Sequence, residues 1–333
     1  MNKIGICLKA ILLYLVPAAS LIGLGIDVSS LGMFFISSIF LIDLKEQLLK
    51  GDWYGFILIC MVAIFLMVAV NEAVNFFVIA IARLLLSVVS NQLTRYIASN
   101  LPFLIYFGLY LIRQKIKNES IGFLFNLKGG KIRWGHMVAG FCFYSTVMIV
   151  LLTGQIISSI PANVVLIAIS MSIFITGIQS WFEEFCFRQI PLSFFASEGL
   201  SIDKAVEKTA FLIISAVIFG MAHLQLFLPY GFAGVISQII FGFFSGFMAI
   251  YTSGIEFSTG VHMANNAMIS VFMASRVINR TIISPSSAVL ALLAPPLALA
   301  SIYFLDKKET CSDSKKGKND NQSQALNYVI SCL

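Results

Sequence analysis

Charge is scarce in this sequence. Only 11% of its 333 residues are Asp, Glu, Lys or Arg, while 59% are hydrophobic. Soluble domains carry about 25% charged and about 45–50% apolar residues, and a water-facing surface needs polar side chains to cover it. The shortage argues against a soluble enzyme, a disordered segment and a coiled coil. Cysteine offers no framework either. The six (Cys7, Cys60, Cys142, Cys186, Cys311 and Cys332) form no C-x-x-C pair, and four lie in or beside apolar runs, so a zinc ribbon or a disulfide scaffold does not fit. Polar/apolar alternation is missing, which argues against a transmembrane barrel. No internal repeat or inverted symmetry is visible, which weakens a transporter reading. What the chain does have is a mean hydropathy of +0.91, 13% aromatic residues and long unbroken apolar runs. These predict an all-α fold: a polytopic transmembrane helix bundle.

A helix crossing a bilayer needs about 20 mainly apolar residues. Spans are predicted at 4–26, interrupted only by Lys9, at 53–70 and at 96–112, with a partial or interfacial helix at 29–42. Residues 134–182 contain no Asp, Glu, Lys or Arg and hold two spans with Pro161 near the break; 209–255 hold two more, with Pro229-Tyr230-Gly231 as the turn. Residues 257–275 and 287–305 complete about eight spans. Residues 1–20 loosely resemble a cleavable signal peptide, but more membrane-like sequence follows, so the reading is an uncleaved first span.

The net charge of +6 does not point to nucleic acid, because the basic residues are spread over short loops. The loop 113–133 carries six of them (Arg113, Lys115, Lys117, Lys128, Lys131 and Arg133) against Glu119 alone, which places it in the cytoplasm by the positive-inside bias. Three regions are expected: N-terminal spans and the basic loop over 1–133, a membrane-embedded core over 134–305, and a polar, disordered tail over 306–333.

Ionisable groups inside apolar segments are costly, so they are the first candidates for function. In Trp181-Phe182-Glu183-Glu184-Phe185-Cys186-Phe187-Arg188, Glu184 and Arg188 stand four apart on one helix face and can pair. Glu183 is turned away by about 100° and has no partner within the motif. A bland reading, a charge cluster at the cytoplasmic end of a span, carries about half the weight for this motif alone. In Phe219-Gly220-Met221-Ala222-His223, Phe219 sits one turn below His223, and Gly220 and Ala222 permit close helix approach. A lone membrane histidine is more often a packing residue. In His262-Met263-Ala264-Asn265-Asn266, His262 and Asn266 share a face and can offer N–H groups to an oxyanion. Asn265 points elsewhere, as a helix-contact residue. His136, beside Trp134 and Arg133, reads as an interfacial anchor.

These motifs in this order, E-E-x-x-x-R, F-x-x-x-H and H-x-x-x-N, about 40 residues apart, resemble the CAAX-protease and bacteriocin-processing family of intramembrane endopeptidases. The resemblance covers roughly 174–272. It implies an all-helical bundle with a site sunk below the cytoplasmic surface, and peptide-bond hydrolysis by a water activated by Glu183 and His223. It implies His262 and Asn266 as the oxyanion pair, with Glu184, Arg188 and Phe219 as supporting residues. Gln189 departs from the pattern, since glycine usually follows the arginine in the family; the chemistry is expected to survive, with altered local packing. For the polar groups to meet at one depth, the helix carrying Glu183 must continue past Arg188, to about Phe195, because His223 lies roughly 18 Å into its own run.

The leading expectation is an intramembrane endopeptidase, in a bacterial inner membrane as a multi-pass protein, acting on a peptide or membrane-anchored protein substrate without a cofactor. Its partners are that substrate and the lipid bilayer. Zinc held by Glu183, His223 and His262 is the alternative; the absence of H-E-x-x-H and the presence of Asn266 argue against it. The competing functions are a proton- or ion-coupled transporter using Glu183, His223 and His262 as a relay, and a catalytically idle scaffold or immunity relative.

Overall fold

Residues that could bury their apolar faces only against one another fold here as helices packed on helices. The structure is a computed structural model, and it describes residues 43–62, 107–127, 131–152, 176–197, 205–223 and 227–274, with a few isolated positions besides. The spans predicted at 4–26, 29–42 and 287–305, the break at Pro161 and the tail 306–333 lie outside the described residues.

In chain order the elements are α1 (43–50), α2 (Trp53–Val62), α3 (107–117), a short 3-10 turn (Ile121–Leu124), α4 (Trp134–Leu152), α5 (Gly177–Glu184), a π-helical turn (Phe185–Gln189), α6 (Ile190–Ser197), α7 (Ala205–Met221), α8 (Phe227–Tyr251) and α9 (Glu256–Ala274). Among the described residues there is no strand, only an isolated antiparallel bridge between Asn126 and Gly254. The all-α reading therefore stands for this part of the chain. One helix among them, Gly231–Tyr251, is long and apolar enough to cross a membrane by length and composition.

Helix α8 breaks at Gly231, within the turn expected at Pro229-Tyr230-Gly231, while α7 itself already ends at Met221. Helix α7 stops at Met221, because the His223 backbone N–H folds back to Gly220 O (3.0 Å) and its ring Nδ1 bonds Phe219 O (2.8 Å). Pro229 then falls in the first turn of α8, where a missing N–H costs no helical bond. Gly231, at φ +62° and ψ −156°, a conformation suited to glycine, breaks the helix and separates the single turn 227–230 from the long helix Gly231–Tyr251.

Two packing seams set the site. Helices α4 and α9 touch backbone to backbone: a Cβ on Gly260 would lie 2.0 Å from Met137 O, and one on Gly140 would lie 2.3 Å from Phe257 O. Small residues at helix contacts serve this purpose in membranes, where apolar burial gives no preference for protein over lipid. Tyr144 on α4 also donates to Asn265 on α9 (2.9 Å), which fits the helix-contact role read for Asn265. Helices α7 and α8 meet through Gly220 against Ile239 and Gly242 against Ala216. Their outer faces leave Ile213, Val217, Phe232 and Ile236 exposed, as α2 leaves Tyr54, Ile57 and Met61.

Candidate active site

The glutamate motif sits on a helix that does continue past Arg188, as required, running through α5, the π turn and α6 to Ser197. Pro191 explains the irregularity. It has no N–H to offer Phe187 O four residues back, and its ring crowds that carbonyl, so the ladder widens into π geometry. Ser215 of α7 supplies the missing donor, its hydroxyl bonding Phe187 O at 2.7 Å.

Glu184 is fully buried and fully engaged. Arg188 Nη1 lies 3.3 Å from its Oε1, the pairing expected from the i, i+4 spacing. His262 Nδ1 reaches the same Oε1 at 3.0 Å, and Ser245 Oγ on α8 donates to Oε2 at 2.5 Å. A carboxylate oxygen only accepts, so Nδ1 of His262 carries the proton in this bond and Nε2 faces the other way.

Glu183 is equally buried, at 1% exposure, but its bonding is incomplete. Gln179 Nε2 donates to Oε1 at 2.9 Å. Oε2 has no hydrogen bond; it lies 3.4 Å from His262 Nε2 and 3.7 Å from His223 Nε2. The His223 ring is held in the same sense as that of His262, with Nδ1–H donated to Phe219 O and Nε2 turned to the carboxylate. The structure thus gathers Glu183 and Glu184 of α5, His223 of the turn that ends α7, and His262 of α9 at one point.

Phe219 is the packing hub. Its ring centroid lies 4.4 Å from that of His223 and 5.9 Å from that of His262, and Arg188 stacks its guanidinium 4.1 Å from the ring centre. Asn266 lies one turn along α9 from His262 and donates to Ser180 Oγ on α5 (3.0 Å). His262 therefore stands closer to the glutamates than the oxyanion reading required, while Asn266 is anchored from the glutamate helix. His136 is not part of this cluster. It occupies the first turn of α4, close to an exposed Trp134.

Sequence reasoning missed three supporting groups. Gln179 precedes Glu183 by four residues, so the i, i+4 rule could have found it; Ser180 instead meets Asn266 of α9. Ser245 could not be found that way, because only the packing of α8 against the π turn brings it to Glu184. Gln189, the departure from the motif, turns its side chain outward from the cluster, and Nε2 donates to Phe123 O at 3.0 Å.

A zinc ion needs three or more ligands closing on one centre at about 2 Å. Among the described residues, no group of three or more His, Cys, Asp or Glu side chains is arranged to hold a metal ion.

No curated protein and no solved structure matches this chain. Residues 164–268, which contain all three motifs, match the family model described as type II CAAX prenyl endopeptidase Rce1-like, the family the motifs resemble.

Proposed function

We propose that the protein is a membrane-embedded endopeptidase that hydrolyses a peptide bond in a peptide or membrane-anchored protein, with Glu183 as the proton acceptor. One observation carries the reading: a buried carboxylate oxygen without a hydrogen bond, faced by two imidazole nitrogens. Other buried atoms, such as Tyr110 Oη, Ser145 Oγ and Thr259 Oγ1, also lack a hydrogen bond, so it is the facing pair of imidazoles on a carboxylate oxygen that distinguishes Glu183.

The steps follow from the groups at hand. A water held by Glu183 Oε2 and His223 Nε2 loses a proton to Glu183 as its oxygen attacks the scissile carbonyl carbon. The carbonyl π electrons move to oxygen and form the tetrahedral oxyanion. His262 and Asn266 are the donors to that oxyanion. For His262 this requires a second proton, on Nε2, and the Glu184 carboxylate on Nδ1 supplies the compensating charge. Glu183 then gives its proton to the leaving nitrogen, the C–N bond breaks, and the acid product passes its hydroxyl proton to the amine, so that a carboxylate and an ammonium leave and Glu183 is again ionised.

In this reading the protein is multi-pass, in a bacterial inner membrane, with about eight spans divided as 1–133, 134–305 and a polar tail. It needs no metal. The exposed apolar faces of α2, α7 and α8 support a lipid environment. The test is cleavage of an internally quenched peptide ending in a CAAX-type sequence with an S-farnesyl cysteine. Alongside it, the membrane proteome of cells carrying wild type is compared with that of cells carrying Glu183→Gln. Accumulation of an uncleaved protein with the variant supports the reading. Equal cleavage by both chains rejects it.

A further inference from the structure

Outside the matched residues, a short piece of the basic loop grips both helices that carry the candidate site. Three successive carbonyls take part. Phe123 O accepts from Gln189 Nε2 (3.0 Å) and Leu124 O accepts from Trp181 Nε1 (3.3 Å), so the loop holds the glutamate helix on both sides of Glu183 and Glu184. Phe125 O accepts from Ile255 N (2.8 Å), Leu127 N donates to Ser253 O (3.4 Å), and Asn126 bridges to Gly254, so the same loop holds the start of α9. Phe125 also lays its ring 5.5 Å from Trp181.

A latch closes over that second contact. Glu256, the first residue of α9, is completely buried, and its carboxylate accepts from Asn126 Nδ2 (2.9 Å), Arg133 Nε (3.0 Å) and Arg133 Nη2 (2.5 Å). Arg133 Nη1 adds a bond to Thr252 O (2.6 Å). Gly254 leaves room for nothing more: a Cβ there would lie 2.4 Å from Arg133 Nη2 and 2.8 Å from Asn126 Cβ. His262 and Asn266 stand six and ten residues further along the helix that Glu256 begins.

We infer that residues 123–126 are a strap that fixes the glutamate helix relative to α9, with Asn126 and Arg133 as positioning residues acting through Glu256 on His262 and Asn266. The kinetic part of this inference rests on the endopeptidase reading; its structural part does not. Glu183 and Glu184 are on one strapped helix and His262 on the other, with contacts of 3.4 and 3.0 Å between them. A misplacement of about 1 Å in such a constellation can cost about 10²-fold in rate. Truncating Asn126 removes one donor to Glu256 but leaves the Arg133 pair, so the fold persists while the strap loosens.

The experiment uses the full chain in lipid nanodiscs, with Asn126→Ala, Arg133→Lys and Arg133→Gln, the farnesylated CAAX peptide above, and amide hydrogen exchange. The expected result for Asn126→Ala is a kcat lowered about 10- to 100-fold with KM within about twofold. Amide exchange should quicken together over 181–189 and 256–262. Arg133→Lys should recover much of the kcat that Arg133→Gln loses. A folded Asn126→Ala protein with wild-type kcat, or with faster exchange confined to 120–127, overturns the inference. If the wild-type protein leaves the peptide intact, the endopeptidase reading is what has failed, and the exchange pattern alone decides the strap.

Discussion

Two buried carboxylates in this protein are treated in opposite ways. Glu256 accepts from Arg133 and Asn126, which together satisfy both of its oxygens. Glu183, on the other side of the glutamate helix from the strap, keeps Oε2 without a hydrogen bond beside two imidazoles. Both are out of contact with bulk solvent, so burial alone does not separate them. Their partners do. A charge in low dielectric is tolerable once it is paired and hydrogen-bonded, whereas an unsatisfied one costs free energy. The first arrangement serves the fold, and the second is tolerated where a reactive group is required.

The comparison breaks or holds on the exchange of roles between these groups. The largest effect is expected from Glu183→Gln, which keeps the shape and removes the proton acceptor. Peptide hydrolysis should disappear while the melting temperature stays equal or rises slightly. Glu256→Gln should do the reverse in stability, lowering it by about 3 kcal/mol because Arg133 is stranded; a third of the Arg133 side chain reaches solvent, which keeps the loss at the low end for a broken buried pair. Denaturation in detergent measures both, and a stability loss from Glu183→Gln equal to that from Glu256→Gln would erase the distinction.

Glu184 belongs with Glu256 by this logic. Glu184→Gln leaves Arg188 fully buried without its carboxylate, so roughly 3–5 kcal/mol should be lost. The double variant with Arg188→Gln should recover part of it. Activity should fall as well, since His262 loses the acceptor at Nδ1. A stable but inactive Glu184→Gln, set against an active Glu183→Gln, would exchange the two roles.

Smaller still, His262→Ala and Asn266→Ala should each lower kcat by about 10²–10³-fold with KM little changed, because an oxyanion exists only in the transition state. Steady-state kinetics on the quenched peptide decide this, and a change confined to KM would make them substrate-binding residues. No effect at all is expected from prolonged treatment with strong chelators. Inactivation that zinc reverses and calcium does not would favour a metal mechanism.

Much of the site was legible because helix geometry is fixed locally. The Glu184–Arg188 pair, the His223–Phe219 stack and the shared face of His262 and Asn266 all follow from residues four apart on a known helix, and the structure reproduces the first two as contacts. The continuation of the glutamate helix past Arg188 followed from a depth argument of the same kind. The break at Gly231 lies in the turn read from Pro229-Tyr230-Gly231, but the end of α7 at Met221 was not legible, because it rests on His223 folding back onto Gly220 and Phe219.

Composition and local periodicity by themselves determined that the chain is helical, apolar on its outer faces, and supplied with three polar motifs inside apolar runs. They could not determine which nitrogen of His262 meets which glutamate, that Ser245 holds Glu184, that Ser215 caps the carbonyl freed by Pro191, or that Asn126 and Arg133 close on Glu256. Each of those contacts joins elements distant in sequence, 28 to 130 residues apart. A residue's face on its own helix is set by a 100° step that every helix shares. Its partner on another helix is set by where glycines such as Gly140 and Gly260 let two backbones touch, and that register exists only once the helices have packed.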